Sequence, residues 1–518
     1  MNLLKNAAGR LVPLEVNGKE QIPFKGINKF KPTGNKANPP IRSCKDYPAN
    51  GNKVVKDLQT ALKIAGLKDG MTISTHHHLR NGDALTNILF DTIKKMRIKN
   101  IRWYPSASFP VHSHLIKYLK DGTIHHIEGS MNGPLGEFTS YGKMKGVGVL
   151  RSHGGRYQAV QDGDVHIDLA VIAAPTADSF GNATGDQGKS ACGLLGFALA
   201  DSEYADRVIV VTDNLVPFPC VPWQIQGNNV DHVVQVESLG DPAKIVSGTT
   251  QVTKSPDRLL IAEYVAKFVE DSGIMKDGFS FQAGAGGTAL AFALFLKEKM
   301  KKKSIKARFV RGGSTKYLVE MLEEGLTEYI LDGQTFDLEG VRSMHENVNH
   351  VNTSPFTSYN FHGKGNFASM VDAVVLGATE VDVNFNANVV THSDGLLLHG
   401  IGGWQNCLFS KCTILAIPSF RDRIPVIVEK VTTLVGPGEL IDVIATERGL
   451  CINPRRKDLL KSLKNSSLPI INIKDLKKEV NNICGGKPAK PKLNKEKIVA
   501  IIKWVDGTVL DSVYQVIE

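Results

Sequence analysis

Apolar and polar positions along this chain follow two rhythms. Near-continuous apolar runs, LAVIAA at 169–174, RVIVV at 207–211 and AVVLGA at 373–378, predict strands covered on both faces, as in a parallel sheet. Between such runs apolar residues recur at helical spacing. After HHHLRNGD, Asp83 is placed as an N-cap ahead of Leu85, Ile88, Leu89 and Ile93. Buried strands alternating with amphipathic helices predict an α/β fold.

The pattern then repeats at a spacing of roughly 200 residues. LKDGMTIS (67–74) is echoed by MKDGFSFQ (275–282), each a strand followed by a glycine-containing turn and a helix, with Thr288 in the capping role in the second copy. HLIKYLKDGTIHHI (114–127) aligns without gaps on YLVEMLEEGLTEYI (317–330), a helix stopped by Gly122 or Gly325 and then a strand. IDLAVIAAPTADSFGNA (167–183) aligns on VDAVVLGATEVDVNFNA (371–387), pairing Asp168 with Asp372, Asp178 with Asp382 and Asn182 with Asn386. Three segments in the same order predict two tandem, similarly folded α/β domains with mostly parallel sheets. The expected organisation is an N-terminal arm over 1–55, domains over 56–255 and 256–480, and a linker with a C-terminal β segment over 481–518. That last segment alternates like a hairpin around Asp506 and Gly507.

With 518 residues, 42% of them hydrophobic, the chain has material for two proper cores. No apolar stretch is long enough for a membrane span and the N-terminus lacks a secretory signal, so a cytoplasmic enzyme is expected. The seven cysteines are scattered, without a CxxC pair or a zinc-type cluster, and are expected to be reduced. A net charge of +10 raises nucleic acid as a partner. The lysines, however, concentrate at 297–308 and 486–497 without interleaved aromatics, which reads as a solvated helix end and a lysine-rich linker.

Two glycine clusters are candidates for chemistry. Gly284, Gly286 and Gly287 lie at a strand-to-helix turn, where bare amides can approach an anion or a thioester oxygen. GAGGTA lacks the dinucleotide spacing, which argues against nicotinamide binding. In SDGLLLHGIGGWQN (393–406), Gly400, Gly402 and Gly403 offer amides for an oxyanion, or simply a close backbone crossing. For binding a polyanion, HHHLR (76–80) and SHGGR (152–156) supply Arg80, His153 and Arg156. His76, His77 and His78 read as packing or surface residues, and no carboxylate completes a metal-ligand set with them.

On these residues, MTISTHHHLRNGD, SHGGR, DSFGNATG, DGFSFQAGAGGTALA, FNANVVTHSDG, RIPVIVEKVTT, IDVIATERGLCINP and DGTVLDSVYQV, the chain resembles the α subunits of citrate lyase, a branch of the CoA-transferase superfamily. The resemblance covers about residues 55–518. It implies two ribose-phosphate-isomerase-like domains and transfer of a thioester carrier from acetyl to citrate. The implied carrier is CoA, or the CoA-derived group of a small acyl carrier subunit (γ), with no tightly bound cofactor and no metal. A β subunit that cleaves the citryl thioester and an oligomeric complex are further implied. In that framework Gly402 and Gly403 are oxyanion donors, Arg80, His153 and Arg156 bind carboxylate, and Gly284, Gly286, Gly287 and Gly400 hold the thioester. Covalent branches of the superfamily carry Glu-Asn-Gly after the strand following the glycine turn. Here that stretch, Ala307–Lys316, has no carboxylate, and His345-Glu346-Asn347 comes too late in the chain. Direct attack by the acid substrate is therefore expected. Citramalate, another acid acceptor or water remain alternative acceptors.

Overall fold

A computed structural model describes residues 2–32, 34–48, 50–246, 250–284 and 286–517. The call on the turn around Ala285 falls partly outside the described residues. In the first half of the chain, seven strands form one sheet: β1 (Val54–Val55), β2 (Thr72–Thr75), β3 (Ile101–Pro105), β4 (Ile124–Ile127), β5 (Leu169–Ala174), β6 (Arg207–Thr212) and β7 (His232–Gln235). Their order is β1-β7-β6-β5-β2-β3-β4, and every pair is parallel. In the second half, β8 (Ser280–Ala283), β9 (Ala307–Ser314), β10 (Thr327–Thr335), β11 (His350–Asn352), β12 (Ala373–Leu376), β13 (Thr413–Ala416), β14 (Val443–Thr446) and β15 (Gly449–Ile452) form a sheet of order β11-β10-β9-β8-β12-β13-β14-β15. Only the β14–β15 pair is antiparallel. All six residues of β5 are buried, as the apolar run predicts.

The sequence repeat is a repeat of physical devices. Asp168 accepts the backbone N–H of Thr72 at 2.7 Å, and Asp372 accepts that of Ser280 at 2.8 Å, so each locks the start of its central strand. Asp178 accepts the N–H groups of Phe180, Gly181 and Asn182, while Asp382 accepts those of Asn384 and Asn386. In both halves the paired asparagine then takes a distant glycine N–H, from Gly227 at 2.9 Å and from Gly438 at 2.9 Å.

The helices that bear on the site are α1 (Leu85–Lys95), α2 (Ile116–Asp121), α3 (His153–Gln161), α4 (Leu199–Tyr204), α5 (Gly287–Lys303), α6 (Lys316–Glu323), α7 (Pro355–Tyr359) and the single turn α8 (Trp404–Cys407). Gly122 ends α2 in the left-handed conformation (φ 80°), and Gly325 follows α6 with φ 73°. Asp83 is not the N-cap expected: Ala84 holds that position, and Asp83, one residue earlier, accepts the Thr86 N–H at 3.2 Å. Thr288 does not cap: α5 already begins at Gly287, with Gly286 in the N-cap position and no side-chain bond. The lysine run at the end of α5 is matched by acids. Lys297 pairs with Glu320 and Glu324, and Lys299 and Lys303 pair with Glu270.

The chain ends form one body with the first half. β16 (Leu493–Lys503) and β17 (Val509–Val516) make an antiparallel hairpin, and β16 pairs in parallel with Gly148–Leu150. The N-terminal segment closes on this hairpin: Asn6 donates to the carbonyls of Val509 and Leu510, and Phe24 stacks edge-on to Trp504 at 5.9 Å. Part of the lysine-rich stretch expected as linker thus belongs to β16. No helix is long and apolar enough to cross a membrane among the described residues.

The two halves grip each other reciprocally. The first half's glycine loop brings Gly193 against Thr335, and a β-carbon there would lie 2.5 Å from Thr335 Cβ. The second half's loop brings Gly400 against Ser130, where a β-carbon would lie 2.8 Å from Ser130 Cα. Thr335 ends β10 and Ser130 follows β4, the equivalent strand, so the two contacts are related by the repeat. α3 and α7, each begun by a serine cap (Ser152, Ser354), pack together between the halves.

Candidate active site

In an open parallel sheet, ligands gather at the carboxyl ends of the central strands. At the end of β2 the chain turns through His76-His77-His78-Leu79-Arg80, and all five residues are buried. Arg80 has φ 52°, a left-handed conformation that aims its side chain across the interface. Its Nη2 donates to the Thr335 carbonyl at 2.6 Å, and its guanidinium lies 4.3 Å from the Phe336 ring centroid. Burial pulls its pKa down to about 10, opposed by Cys192, Asp332 and Asp337 nearby. No carboxylate is ion-paired to it among the described residues.

His77 is the histidine of the run that joins this site. Its ring stands 5.4 Å from that of His153 and 4.3 Å from Phe197. Its Nδ1 is 2.6 Å from Ser106 Oγ. Burial, then the neighbouring His153 and Arg80, holds its pKa well below the usual histidine value, with a hydrogen bond to Gln334 partly opposing. His153 keeps some exposed surface at the start of α3, yet its ring is enclosed between His77 and Phe197. Burial and then Arg156 push its pKa down to about 3. Both rings are therefore neutral near pH 7. The backbone N–H of His153 donates to the Gly402 carbonyl at 2.8 Å, tying the first half's SHGGR turn to the second half's glycine loop.

The other two histidines of the run are structural. His76 Nε2 lies 2.8 Å from Asp201, and His78 Nε2 donates to the Ala173 carbonyl at 2.7 Å. Reading all three alike concealed His77, because adjacent residues at a strand end point to different neighbours.

Arg156 is a correction. Both of its terminal nitrogens bond Asp201 at 2.7 Å, and Nη2 also donates to the Tyr104 carbonyl at 3.1 Å. The pair is buried, so the guanidinium is consumed inside the protein and is removed from the carboxylate-binding set. Gly400 is a second correction: its bare Cα serves the crossing with Ser130 rather than a thioester. Gly287 is similarly crowded, by Gln251 and Thr253 backbone. Gly284 and Gly286 are open, with nothing within 4 Å of a β-carbon at Gly286. All three glycines of this turn line a cleft of about 800 Å³, together with His399, Ile401 and Trp404.

Gly402 has φ 61° and is 3.9 Å, at its would-be β-carbon, from His153 Cε1; Gly403 sits against the Tyr359 ring. The loop from Ile401 to Trp404 thus faces the cleft with its side chains and the histidine–arginine cluster with Gly402. Glu346 lies on helix Leu338–Glu346, exposed and paired with Arg342 at 2.9 Å, while His345 approaches Asp186 at 3.5 Å. No carboxylate stands in Ala307–Ser314.

Two large, mostly parallel sheets related by a repeat, with a buried arginine–histidine cluster between them, define a chain of CoA-transferase-like fold. Residues 51–516 match the family "Citrate lyase, alpha subunit", and the chain belongs to that family. It is 40% identical over 470 residues to the citrate lyase alpha chain of Haemophilus influenzae, covering 90% of this chain and 94% of that one. The Klebsiella pneumoniae alpha chain is 40% identical over 466 residues, covering 90% and 91%. A Streptococcus mutans structure assigned as the α subunit of citrate lyase, in complex with citrate, superposes with a TM-score of 0.95 at 40% identity, covering 99% of this chain and all of that one. A Pseudomonas malonate decarboxylase shares the fold at a TM-score of 0.62 and 17% identity, covering 84% of each chain.

Proposed function

We propose that this chain moves a thioester carrier from an acetyl group onto citrate, as the transferase component of a citrate lyase in the cytoplasm. The observation that carries this reading is the meeting of Arg80, His77 and His153 with Gly402 at the seam, beside a cleft lined by Gly284 and Gly286. Buried donors with no protein carboxylate to satisfy them among the described residues suit a polycarboxylate. The citrate held by the Streptococcus mutans relative supports the choice of acid. The cleft has the room and apolar lining for the thiol arm of CoA or of an acyl carrier subunit. A β subunit that cleaves the citryl thioester completes the proposed complex.

A citrate carboxylate oxygen attacks the acetyl thioester carbon, and amides of Gly402 and Gly403 receive the oxyanion. Collapse breaks the C–S bond, releasing the carrier thiolate and leaving a mixed acetyl–citryl anhydride. The thiolate then attacks the citryl carbonyl carbon and acetate departs. No enzyme carboxylate enters, in keeping with the carboxylate-free end of β9 and the outward-facing Glu346.

The test is a coupled assay with acetyl-CoA and citrate, citramalate or water as acceptor, with mass spectrometry of the protein after incubation with acetyl-CoA. Citrate-dependent acetate release and an unmodified chain are expected. Preference for citramalate would overturn the acid, acceptor-independent hydrolysis would overturn transfer, and a glutamyl thioester would overturn direct attack.

A further inference from the structure

The repeat places Arg311 of β9 where the first half has Tyr104 of β3, and Tyr359 at the end of α7 where the first half has Tyr157, the neighbour of Arg156 on α3. Each half therefore holds an arginine against a tyrosine, with the arginine on the helix in the first half and on the strand in the second. The Arg156 guanidinium is 4.3 Å from the Tyr104 ring centroid, and that of Arg311 is 4.6 Å from the Tyr359 ring centroid. The next neighbours correspond too: Ser74 bonds Asp201 in the first half, and Gln282 donates to Cys407 Sγ at 3.0 Å in the second. Asp201, the counter-ion of Arg156, is thus replaced by a cysteine.

The consequence is an unbalanced charge. Arg311 is 0% exposed, and its Nη1 donates to the neutral Gln282 Oε1 at 2.7 Å. Its Nε and Nη2 are buried without a partner among the described residues. An arginine does not shed its proton to escape burial, and a buried unpaired cation is costly. The two free nitrogens share one edge of the guanidinium, the edge that matches both oxygens of a carboxylate. Tyr359, which covers this guanidinium, abuts Gly403 of the loop that faces the His153 cluster.

We propose that Arg311 is a second carboxylate-binding residue, taking one carboxylate of the acid acceptor on its Nε–Nη2 edge when the Tyr359 ring moves aside. Arg80 and Arg311 then hold different carboxylates of one polycarboxylate from opposite halves of the chain. This rests on the proposed transfer to an acid acceptor.

The test uses Cys407→Asp and Arg311→Met in the full chain. Cys407→Asp supplies the counter-ion that the repeat predicts, so it is expected to fold with an unchanged or raised melting temperature. By neutralising the guanidinium that the acid would pair with, it is expected to raise the KM for citrate at least tenfold. Arg311→Met should show the same KM effect, and both should lose the melting-temperature rise that citrate gives the parent. Melting curves with citrate, citramalate, acetate and inorganic phosphate, each at equal ionic strength, are run beside the transfer assay. A folded Cys407→Asp with parental KM and parental citrate shift overturns the role of Arg311 alone. An Arg311-dependent shift given by phosphate and not by any carboxylate also overturns it. A parent that neither turns over nor binds any of these acids overturns both readings.

Discussion

Arg156 and Asp201 form a buried two-point ion pair, Nη1 to Oδ1 and Nη2 to Oδ2, each at 2.7 Å. His76 and Ser74 lean on the same carboxylate, so four polar side chains from β2, its following turn, α3 and α4 share one network around Asp201. Removing one member strands the others, at a cost of about 3–5 kcal/mol for a broken buried pair. Arg156→Ala and Asp201→Asn should therefore lower the urea midpoint sharply, while the folded fraction keeps the parental citrate KM. An Arg156→Ala protein with parental stability and a raised KM would return Arg156 to the substrate site.

Arg80 should behave in the opposite way. The one hydrogen bond it makes among the described residues, to the Thr335 carbonyl, is to a neutral group, its Nε is buried without a partner there, and its charge acts on His77. A hydrogen bond to a charged ligand contributes about 1.5–3 kcal/mol, so Arg80→Ala is expected to raise the citrate KM by roughly ten- to a hundredfold. Arg80→Lys should recover little of this, because an ammonium lacks the fork. Steady-state kinetics at saturating acetyl-CoA decide it, and an unaltered KM removes Arg80 from the site.

What the residues disclose in advance depends on whether the physics is local. Asp178 and Asp382 act on backbone a few residues further on, and Asp168 and Asp372 on strands that both copies of the repeat contain, so aligning the two halves already reveals them. The buried strands are legible for the same reason. The arginines are not, because SHGGR says nothing about Asp201, which reaches Arg156 only after β5 and α4 are in place. Arg311 stays hidden for a further reason: the arginine moves from the helix in one half to the strand in the other, so Arg311 aligns with Tyr104 and Arg156 with Ser358. Among the glycines, Gly400 and Gly402 look equivalent in HGIGGW. Only the fold shows one against Ser130 and the other beside His153 at positive φ.

The two glycine crossings at the seam yield a paired prediction. A methyl at Gly400 collides with Ser130, and one at Gly193 collides with Thr335 in addition to straining a φ of 82°. Overpacking of this kind costs about 1–3 kcal/mol or more, and both changes push the halves apart. Gly400→Ala and Gly193→Ala should each lower the melting temperature and weaken transfer. Ser130→Gly should partly rescue Gly400→Ala and leave Gly193→Ala untouched. Thermal unfolding of the three single variants and the two doubles reads the coupling, and rescue of both by Ser130→Gly would contradict separate crossings.

The buried histidines set the direction of the pH response. His78 donates to the Ala173 carbonyl, and burial, then the neighbouring His76, brings its pKa down to about 4. An unfolded histidine titrates near 6.5, so between about 6.5 and 4 the unfolded chain binds a proton that the folded chain refuses. Stability is complete above that window and falls as the pH drops through it. His153, held at about 3, acts in the same direction. A shift of this size in His78 corresponds to a few kcal/mol at the acid end. Asp201 adds nothing there: Arg156 and His76 overcome its burial and hold it below the usual carboxylate range, so its stabilisation is lost only at lower pH. Urea unfolding at pH 7, 6 and 5 should show a steady loss. His78→Gln, whose amide can still donate to Ala173, should flatten the slope, losing less stability than the parent between pH 7 and 5. A parent equally stable at pH 7 and 5 would mean that these rings accept protons inside the fold, against the burial seen for His78.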